Sequence, residues 1–206
     1  MPRMPAPPPF EPARERLIAA MTDALRRRGL HGIGLTELLQ AAQAPKGVMY
    51  HHFPGGKTEL AVAAIDQVVV RMTAGLDKLL ATTPDPLQAM RRWIAGATAR
   101  LQDTGFEAGC PLATVALESR PEDQALREAL ARAFERVRER IAQGLVNAGL
   151  PAERALGLAA LIVAAYEGGL LQSRVAHSVE PIQRATDTLL ALLASPSSNA
   201  LQEPSP

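Results

Sequence analysis

Apolar side chains recur every three or four residues along most of the chain, the spacing that places them on one face of an α-helix. No stretch alternates apolar and polar residues for long enough to predict a strand. With glycine and proline as breaks, the pattern predicts an all-α fold of nine helices. These predicted helices cover residues 11–28, 35–42, 45–52, 57–81, 85–103, 111–118, 122–148, 151–176 and 181–194.

Two short predicted helices meet at a bend around residues 43–45. Apolar residues within 35–42 share one face of the first helix, and Thr36 is predicted to cap it. Pro45 ends this helix and starts the next, because proline fixes φ and lacks an N–H. Two helices joined by a turn of three or four residues form a helix-turn-helix, whose second helix enters the major groove of DNA. The bend therefore predicts a DNA-binding helix-turn-helix domain, which we call the head.

The segment APKGVMYHHFPGGKTEL, residues 44–60, resembles the recognition helix and following linker of the TetR/AcrR family of transcriptional regulators. Pro45, the run PGGK at 54–57 and the run GCPLATVALES at 109–119 resemble the LmrA/YxaF-like branch of that family. The more usual pattern has glycine near Gln43 and serine near Pro45, so this chain departs from it at the turn. The resemblance implies three helices in a head and about six in a body, and it is stronger for residues 34–60 than for the body.

The expected organisation has four parts. Residues 1–10 contain five prolines and predict a disordered arm, and the Ser/Pro/Asn-rich residues 195–206 predict a disordered tail. Residues 11–56 form the predicted helix-turn-helix domain. Residues 57–194 form the helical domain, for which the resemblance implies effector binding and dimerisation.

The charge distribution and the cysteine content limit the kinds of site the chain can hold and the compartment in which it is expected. The net charge is +1, but residues 1–60 hold eight Lys or Arg against five Asp or Glu, so the basic excess lies with the predicted head. A single cysteine excludes an intramolecular disulfide framework and a thiolate zinc site. The chain has no run of eighteen apolar residues, and its first residues lack a signal-peptide pattern. We expect a cytoplasmic protein with no membrane partner, no metal and no cofactor.

The helix-turn-helix region supplies the predicted contacts with double-stranded operator DNA. Residues at the N-terminal end of the second helix are expected to reach base edges, and hydroxyl, imidazole and ammonium donors are expected to bind phosphates. The base-reading candidates are Lys46, Gly47 and Val48, and the phosphate candidates are Thr36, Tyr50, His51 and Lys57. Packing in the head competes as a role for Tyr50 and for Phe53, and the role of His52 stays open.

One recognition helix covers only a few base pairs, so useful specificity predicts a symmetric homodimer on a palindromic operator. The resemblance implies a four-helix interface built from the last two helices of each subunit. Its candidate residues are Leu158, Ala159, Ile162, Ala165, Gly169, Val175, Leu189, Leu190 and Leu193. Packing inside one chain is the competing explanation for the same residues.

A glycine-loosened break at residues 105–111, followed by a short helix, favours a cavity for a small effector. Because aromatic residues make up only 3% of the chain, this effector is expected to be apolar and to meet aliphatic side chains. The candidate lining residues are Met72, Leu76, Trp93, Ala97, Cys110, Leu112, Val115, Phe134, Val137, Tyr166 and Leu170, with Thr114 and Glu167 as polar anchors. Each of them would also suit an ordinary core.

Two other classes of protein fit parts of the sequence. An enzyme would use Cys110 with His177 or His51, but no Cys/His signature surrounds these residues and a lone cysteine before proline is more often packed and inert. No catalytic residue is therefore predicted. A DNA-binding architectural protein without an effector is the second alternative. The sequence favours a ligand-responsive transcriptional regulator, most simply a repressor that its effector releases from DNA.

Overall fold

The computed structural model describes residues 12–194, so the predicted arm and tail lie outside the described residues. Within them the fold is all-α, without strands, as the sequence predicts. The described residues form α1 (Ala13–Arg28), α2 (Leu35–Ala41), α3 (Lys46–His52), α4 (Gly56–Thr82), α5 (Pro86–Asp103), α6 (Pro111–Glu118), α7 (Gln124–Asn147), α8 (Ala152–Ala176) and α9 (Glu180–Ala194).

Most helix ends follow local signals in the sequence. The Asp85 side chain accepts a hydrogen bond from the N–H of Leu87 at 2.9 Å and caps α5. Pro111 occupies the first turn of α6, where its missing N–H costs nothing. Beyond α7, Gly149 has a φ of 96°, and Pro151 then precedes α8. Because helices end at these prolines and glycines, their positions in the sequence predict the helix ends well.

The start of the helix-turn-helix differs from the sequence-based prediction in two details. Gly34 occupies the cap position of α2 and no side chain caps that helix, so the prediction that Thr36 caps it is wrong. Thr36 lies in the first turn instead. Pro45 is the cap residue of α3 rather than its first helical residue, with φ of −63° and ψ of 150°.

The described chain divides into two compact units. The first holds the described residues through Met72 together with Glu107–Val137, and the second holds Thr73–Phe106 together with the described residues from Arg138 onward. Packing therefore groups α6 and the first half of α7 with the predicted head. The boundary after residue 56 divides the chain by role and stays a prediction.

In the first unit, α1 is the helix on which the head is assembled. Its residues Leu17, Met21 and Leu25 are fully shielded from solvent, and α1 packs against α2, α3 and α6. Met49 from α3 and Phe53 just after it are also buried. This small core holds one side of α3 and leaves the other side for binding.

In the second unit, α8 and α9 pack closely along their length. A Cβ at Gly169 would lie 2.8 Å from the Cα of Ile182, so glycine is required for this approach. The Ser173 hydroxyl accepts a hydrogen bond from the N–H of Ile182 at 3.1 Å. Helix α5 packs on both helices and places the Trp93 ring 5.1 Å from the ring of Tyr166.

Helix α8 is unusually apolar. Among the helices within residues 12–194, it alone has the length and composition of a candidate membrane span, with a mean hydropathy of 1.5. A core helix of a soluble protein passes the same test. The close packing of α8 against α9 accounts for its inner face but not for its outer one.

Candidate DNA-binding site

Four residues of α3 form an exposed surface, which we call the outer face of α3: Lys46, Gly47, Tyr50 and His51. The Lys46 ammonium lies 5.9 Å from the centre of the Tyr50 ring, so cation and ring share this surface. A Cβ at Gly47 would meet no atom within 4 Å. The fold itself therefore does not require glycine at this position.

The remaining residues of this segment serve the head core to different degrees. Phe53 is only 2% exposed, and the Arg14 guanidinium lies 5.5 Å from the centre of its ring. Packing is therefore the role of Phe53. Val48 and His52 are half-buried, so each offers only part of its side chain to a ligand.

The turn before α3 is held by a residue that the sequence analysis did not single out. Gln43 has a φ of 48°, a left-handed conformation that glycine adopts without strain in the more usual pattern. From α1, Arg16 donates hydrogen bonds to the carbonyls of Ala42 at 3.0 Å and Gln43 at 3.1 Å. These bonds cross 26 and 27 residues of sequence, and no local motif announces them.

Lys57, one of the predicted phosphate contacts, has partners inside the protein. Its ammonium donates to the carbonyls of Leu30 and Ile33, both at 2.5 Å, in the loop between α1 and α2. Burial lowers the pKa of Lys57 below its ordinary value, while the nearby Glu118 carboxylate opposes that shift. These bonds hold the ammonium within the head, which argues against the predicted contact with a DNA phosphate.

The same loop, residues 29–34, also receives a carboxylate from α6. The Glu118 Oε2 atom accepts hydrogen bonds from the N–H of Leu30 at 2.6 Å and of His31 at 3.3 Å. No functional role was predicted for Glu118 from the sequence. Glu118 belongs to the run at 109–119 that resembles the LmrA/YxaF-like branch, but nothing in that run indicates which groups its carboxylate contacts.

Two of the three arginines at the end of α1 form ion pairs within the first unit. Arg27 pairs with Asp23 at 3.1 Å and with Glu107 at 2.7 Å, and Arg28 pairs with Glu37 at 2.7 Å. These pairs join the C-terminal end of α1 to neighbouring segments of the first unit. Among the predicted phosphate contacts, Thr36, Tyr50 and His51 remain exposed.

Comparison with known proteins agrees with this geometry. Residues 86–188 match the family described as transcriptional regulator LmrA/YxaF-like, C-terminal domain. An HTH-type transcriptional regulator of Mycobacterium tuberculosis is 33% identical over 87% of this chain and 93% of its own length. The HTH-type transcriptional regulator LmrA of Bacillus subtilis is 26% identical over 88% of this chain and 96% of its own.

This chain belongs to the LmrA/YxaF-like transcriptional regulators of the TetR family. A crystal structure of regulatory protein TetR from Rhodobacter sphaeroides has the same fold, with a TM-score of 0.77 and 27% identity over 87% of this chain and 97% of that one. The resemblance drawn from the sequence is thereby confirmed. The helix-turn-helix of this regulator is its DNA-binding element.

The predicted effector residues of this regulator fall in both compact units. Those of the first unit are Met72, Cys110, Leu112, Thr114, Val115, Phe134 and Val137. Those of the second are Leu76, Trp93, Ala97, Tyr166, Glu167 and Leu170. All are buried except Met72, Thr114, Phe134 and Glu167, which are half-buried. The Thr114 hydroxyl donates to the Cys110 carbonyl at 2.9 Å, one turn back on α6.

A cavity of about 160 Å³ lies in the second unit, and none of these residues lines it. It is lined by Leu80, Thr83, Pro84, Pro86, Arg140, Gly144, Asn147 and Ala148. None of these was predicted to contact an effector. The effector site of this LmrA/YxaF-like regulator therefore stays a prediction from its sequence.

The predicted interface residues divide by exposure. Ala159, Ile162, Gly169 and Leu190 are buried inside the chain, so the competing explanation, packing within one subunit, applies to these four. Leu158, Ala165, Leu189 and Leu193 are half-buried, and Val175 is 78% exposed. Large apolar side chains that the prediction omitted stand in solvent instead: Leu156, Leu161, Leu171 and Leu192.

Proposed function

We propose that this regulator is a cytoplasmic homodimer that represses transcription by binding a palindromic operator and leaves it when a small apolar effector binds. The outer face of α3 is the observation that carries the DNA-binding part. Its four residues are exposed, while Met49 on the opposite side anchors the helix at 0% exposure. A short helix held on one side and open on the other suits the major groove.

The donors on this face divide by what they would contact. Lys46, at the N-terminal end of α3, would donate to a guanine edge, and Gly47 beside it would let the backbone approach a base pair closely. Tyr50, His51 and Thr36 would bind phosphates. Lys57 leaves this group because its hydrogen bonds lie within the head. Val48 would meet a thymine methyl with the part of its side chain that is exposed.

The test is selection of DNA from a random double-stranded pool, followed by footprinting at physiological salt. We expect one short palindromic sequence with protection on both half-sites. Broad coverage without a preferred sequence would support an architectural protein instead. No DNA retained at physiological salt would refute DNA binding of either kind.

A stripe on the outer side of α8 supports the homodimer. Six small or apolar residues that are exposed or half-buried follow one another at alternating steps of four and three residues: Gly157, Leu161, Ala164, Gly168, Leu171 and Val175. This is the spacing of a helix that packs lengthwise against another helix. Glycine and alanine between the leucines would let the partner's α8 approach closely. We call these six residues the α8 stripe.

Effector binding is proposed for the predicted lining residues, with Trp93 as its natural reporter. Trp93 is the single tryptophan of the chain, and its ring contacts that of Tyr166. A library of apolar small molecules would be screened by tryptophan fluorescence, and hits would be titrated again with saturating selected DNA. Because linkage is reciprocal, a true effector must bind more weakly in the presence of that DNA. A hit with unchanged affinity would not be the regulatory ligand.

A further inference from the structure

The loop between α1 and α2 is held from two directions within the first unit. Its N–H groups at Leu30 and His31 donate to Glu118, the last residue of α6. Its carbonyls at Leu30 and Ile33 accept from Lys57 in the first turn of α4. A loop of six residues thus takes its backbone partners from two helices that are distant in sequence.

The fit between the loop and Glu118 is close. Gly29 has a φ of 72°, and a Cβ built there would overlap the Glu118 carboxylate. Glycine at this position therefore meets two needs at once, the backbone conformation and the space for the acid. A carboxylate that accepts backbone N–H bonds forms a stronger link than a neutral acceptor does.

Movement of this loop would reach the DNA-binding surface. The loop connects α1 to α2, and α1 also holds the turn before α3 through Arg16. Two other bonds join α1 to the segment before α6. The N–H of Gly109 donates to the Arg26 carbonyl at 3.0 Å, and Glu107 pairs with Arg27. The Glu107 side chain is 69% exposed, so water screens that pair.

We propose that Glu118 is a positioning residue that ties the α1–α2 loop to α6, so that DNA on the outer face of α3 and the state of α6 influence each other. This inference rests on the proposed function. The proposed link depends on the length of the Glu118 side chain, because its carboxylate oxygen must reach the N–H groups of Leu30 and His31. Coupling of this kind acts in both directions, so DNA alone suffices to reveal it.

A set of four variants separates the effect of the length of the Glu118 side chain from the effect of its charge. Glu118→Asp keeps the charge but is one methylene too short, and Glu118→Ala removes both properties. Glu118→Gln keeps the length and one acceptor oxygen but loses the charge. Glu107→Gln is the matched control, since it neutralises a carboxylate beside the same helix without touching the loop.

Amide hydrogen exchange is measured for each protein with and without the DNA that the wild-type protein selects. We expect the amides of Leu30 and His31 to exchange about tenfold faster in Glu118→Asp, because each loses a charge-assisted bond. In the wild type, DNA should slow exchange in residues 112–118. That response should persist in Glu118→Gln and Glu107→Gln and vanish in Glu118→Asp and Glu118→Ala.

Several outcomes would overturn the proposal. The proposal fails if DNA does not slow amide exchange in residues 112–118 of the wild type. It also fails if DNA slows this exchange to the same extent in Glu118→Asp and Glu118→Ala. Loss of the response in Glu107→Gln as well would show that any nearby charge matters. If circular dichroism finds both short variants unfolded and Glu118→Gln folded, then Glu118 only stabilises the head. If the wild type selects no DNA at all, the proposed function falls first and this inference falls with it.

Discussion

At the scale of single residues, two lysines that look alike in the sequence have opposite roles. Both Lys46 and Lys57 lie next to glycine in the helix-turn-helix region. Lys46 is exposed on the outer face of α3, whereas Lys57 is half-buried and bonded to two carbonyls. The partners of Lys57 are 24 and 27 residues away, which is why the sequence could not reveal them.

The two lysines predict different results in one experiment. Lys46→Ala should weaken binding to the selected DNA by about 1–3 kcal/mol, because the contact to a guanine edge is lost, and lower the slope of log K against log salt by up to about one, because a cation is removed from the phosphate-lined groove. Lys57→Met should leave this slope unchanged but lower the free energy of unfolding by about 1–3 kcal/mol, since two buried carbonyls lose their donor. DNA titrations at several salt concentrations and urea unfolding measure both effects. A reduced slope in Lys57→Met would restore this lysine to the DNA interface.

Gly47 gives a second prediction, in which stability and DNA binding change in opposite directions. Alanine has room at this exposed helical position and should stabilise the head by about 0.5–1 kcal/mol. If the α3 backbone approaches DNA here, the added methyl should weaken operator binding at least about tenfold, a loss of roughly 1.4 kcal/mol. Thermal unfolding and DNA titration of Gly47→Ala check the two signs. Gain of stability with unchanged affinity would show that this end of α3 does not reach the bases.

At the scale of helices, the sequence was informative where a break has a chemical cause. Pro111 and the Gly149 to Pro151 break placed helix ends to within a residue or two. The cap of α2 was missed because Gly34 has no side chain to announce it. For α8 the length was right, but three of the six interface residues chosen from this helix are buried in the subunit, because apolar residues surround the helix and periodicity selects no side. Ile162 is buried and Leu161 is half exposed, although the two are neighbours of similar size.

The contact between α8 and α9 predicts that two helical glycines respond differently to alanine. At Gly169 the new Cβ would lie 2.8 Å from the Ile182 backbone, so Gly169→Ala should destabilise the protein by about 1–3 kcal/mol. Gly75 in α4 has open space around it, so Gly75→Ala should stabilise the protein by up to about 1 kcal/mol. Urea unfolding of both variants tests this pair. Equal effects would mean that α8 and α9 are packed less tightly than described.

At the scale of the whole molecule, the α8 stripe offers the proposed homodimer a specific surface. The family resemblance pointed to α8 and α9 for such an interface, but four of the nine chosen residues are buried in the subunit. The inner face of α8 is occupied by α9, which leaves the stripe for a second copy. Fold class and DNA-binding role followed from local motifs, whereas an interface depends on which side of a helix the rest of the chain covers.

Replacing a stripe residue by a charged one should separate the subunits. Leu161→Glu would place a carboxylate in an apolar helix pair, so we expect a monomer by analytical ultracentrifugation and at least about a hundredfold weaker operator binding. Val70→Glu is the matched control, since Val70 is 47% exposed on α4 and Leu161 is 50% exposed on α8. The control should remain a dimer. A dimeric Leu161→Glu would place the interface elsewhere.

The close contact between Gly29 and Glu118 should constrain the evolution of this regulator. Because the Glu118 carboxylate occupies the space where a Cβ would stand, a side chain at position 29 would have to displace this carboxylate, in addition to adopting a φ of 72°. The two positions are 89 residues apart in the chain yet constrain each other directly. In a large alignment of relatives, residues other than glycine at position 29 should therefore occur together with the loss of a long acidic residue at position 118. Independent variation of the two would mean that homologues hold this loop by other contacts.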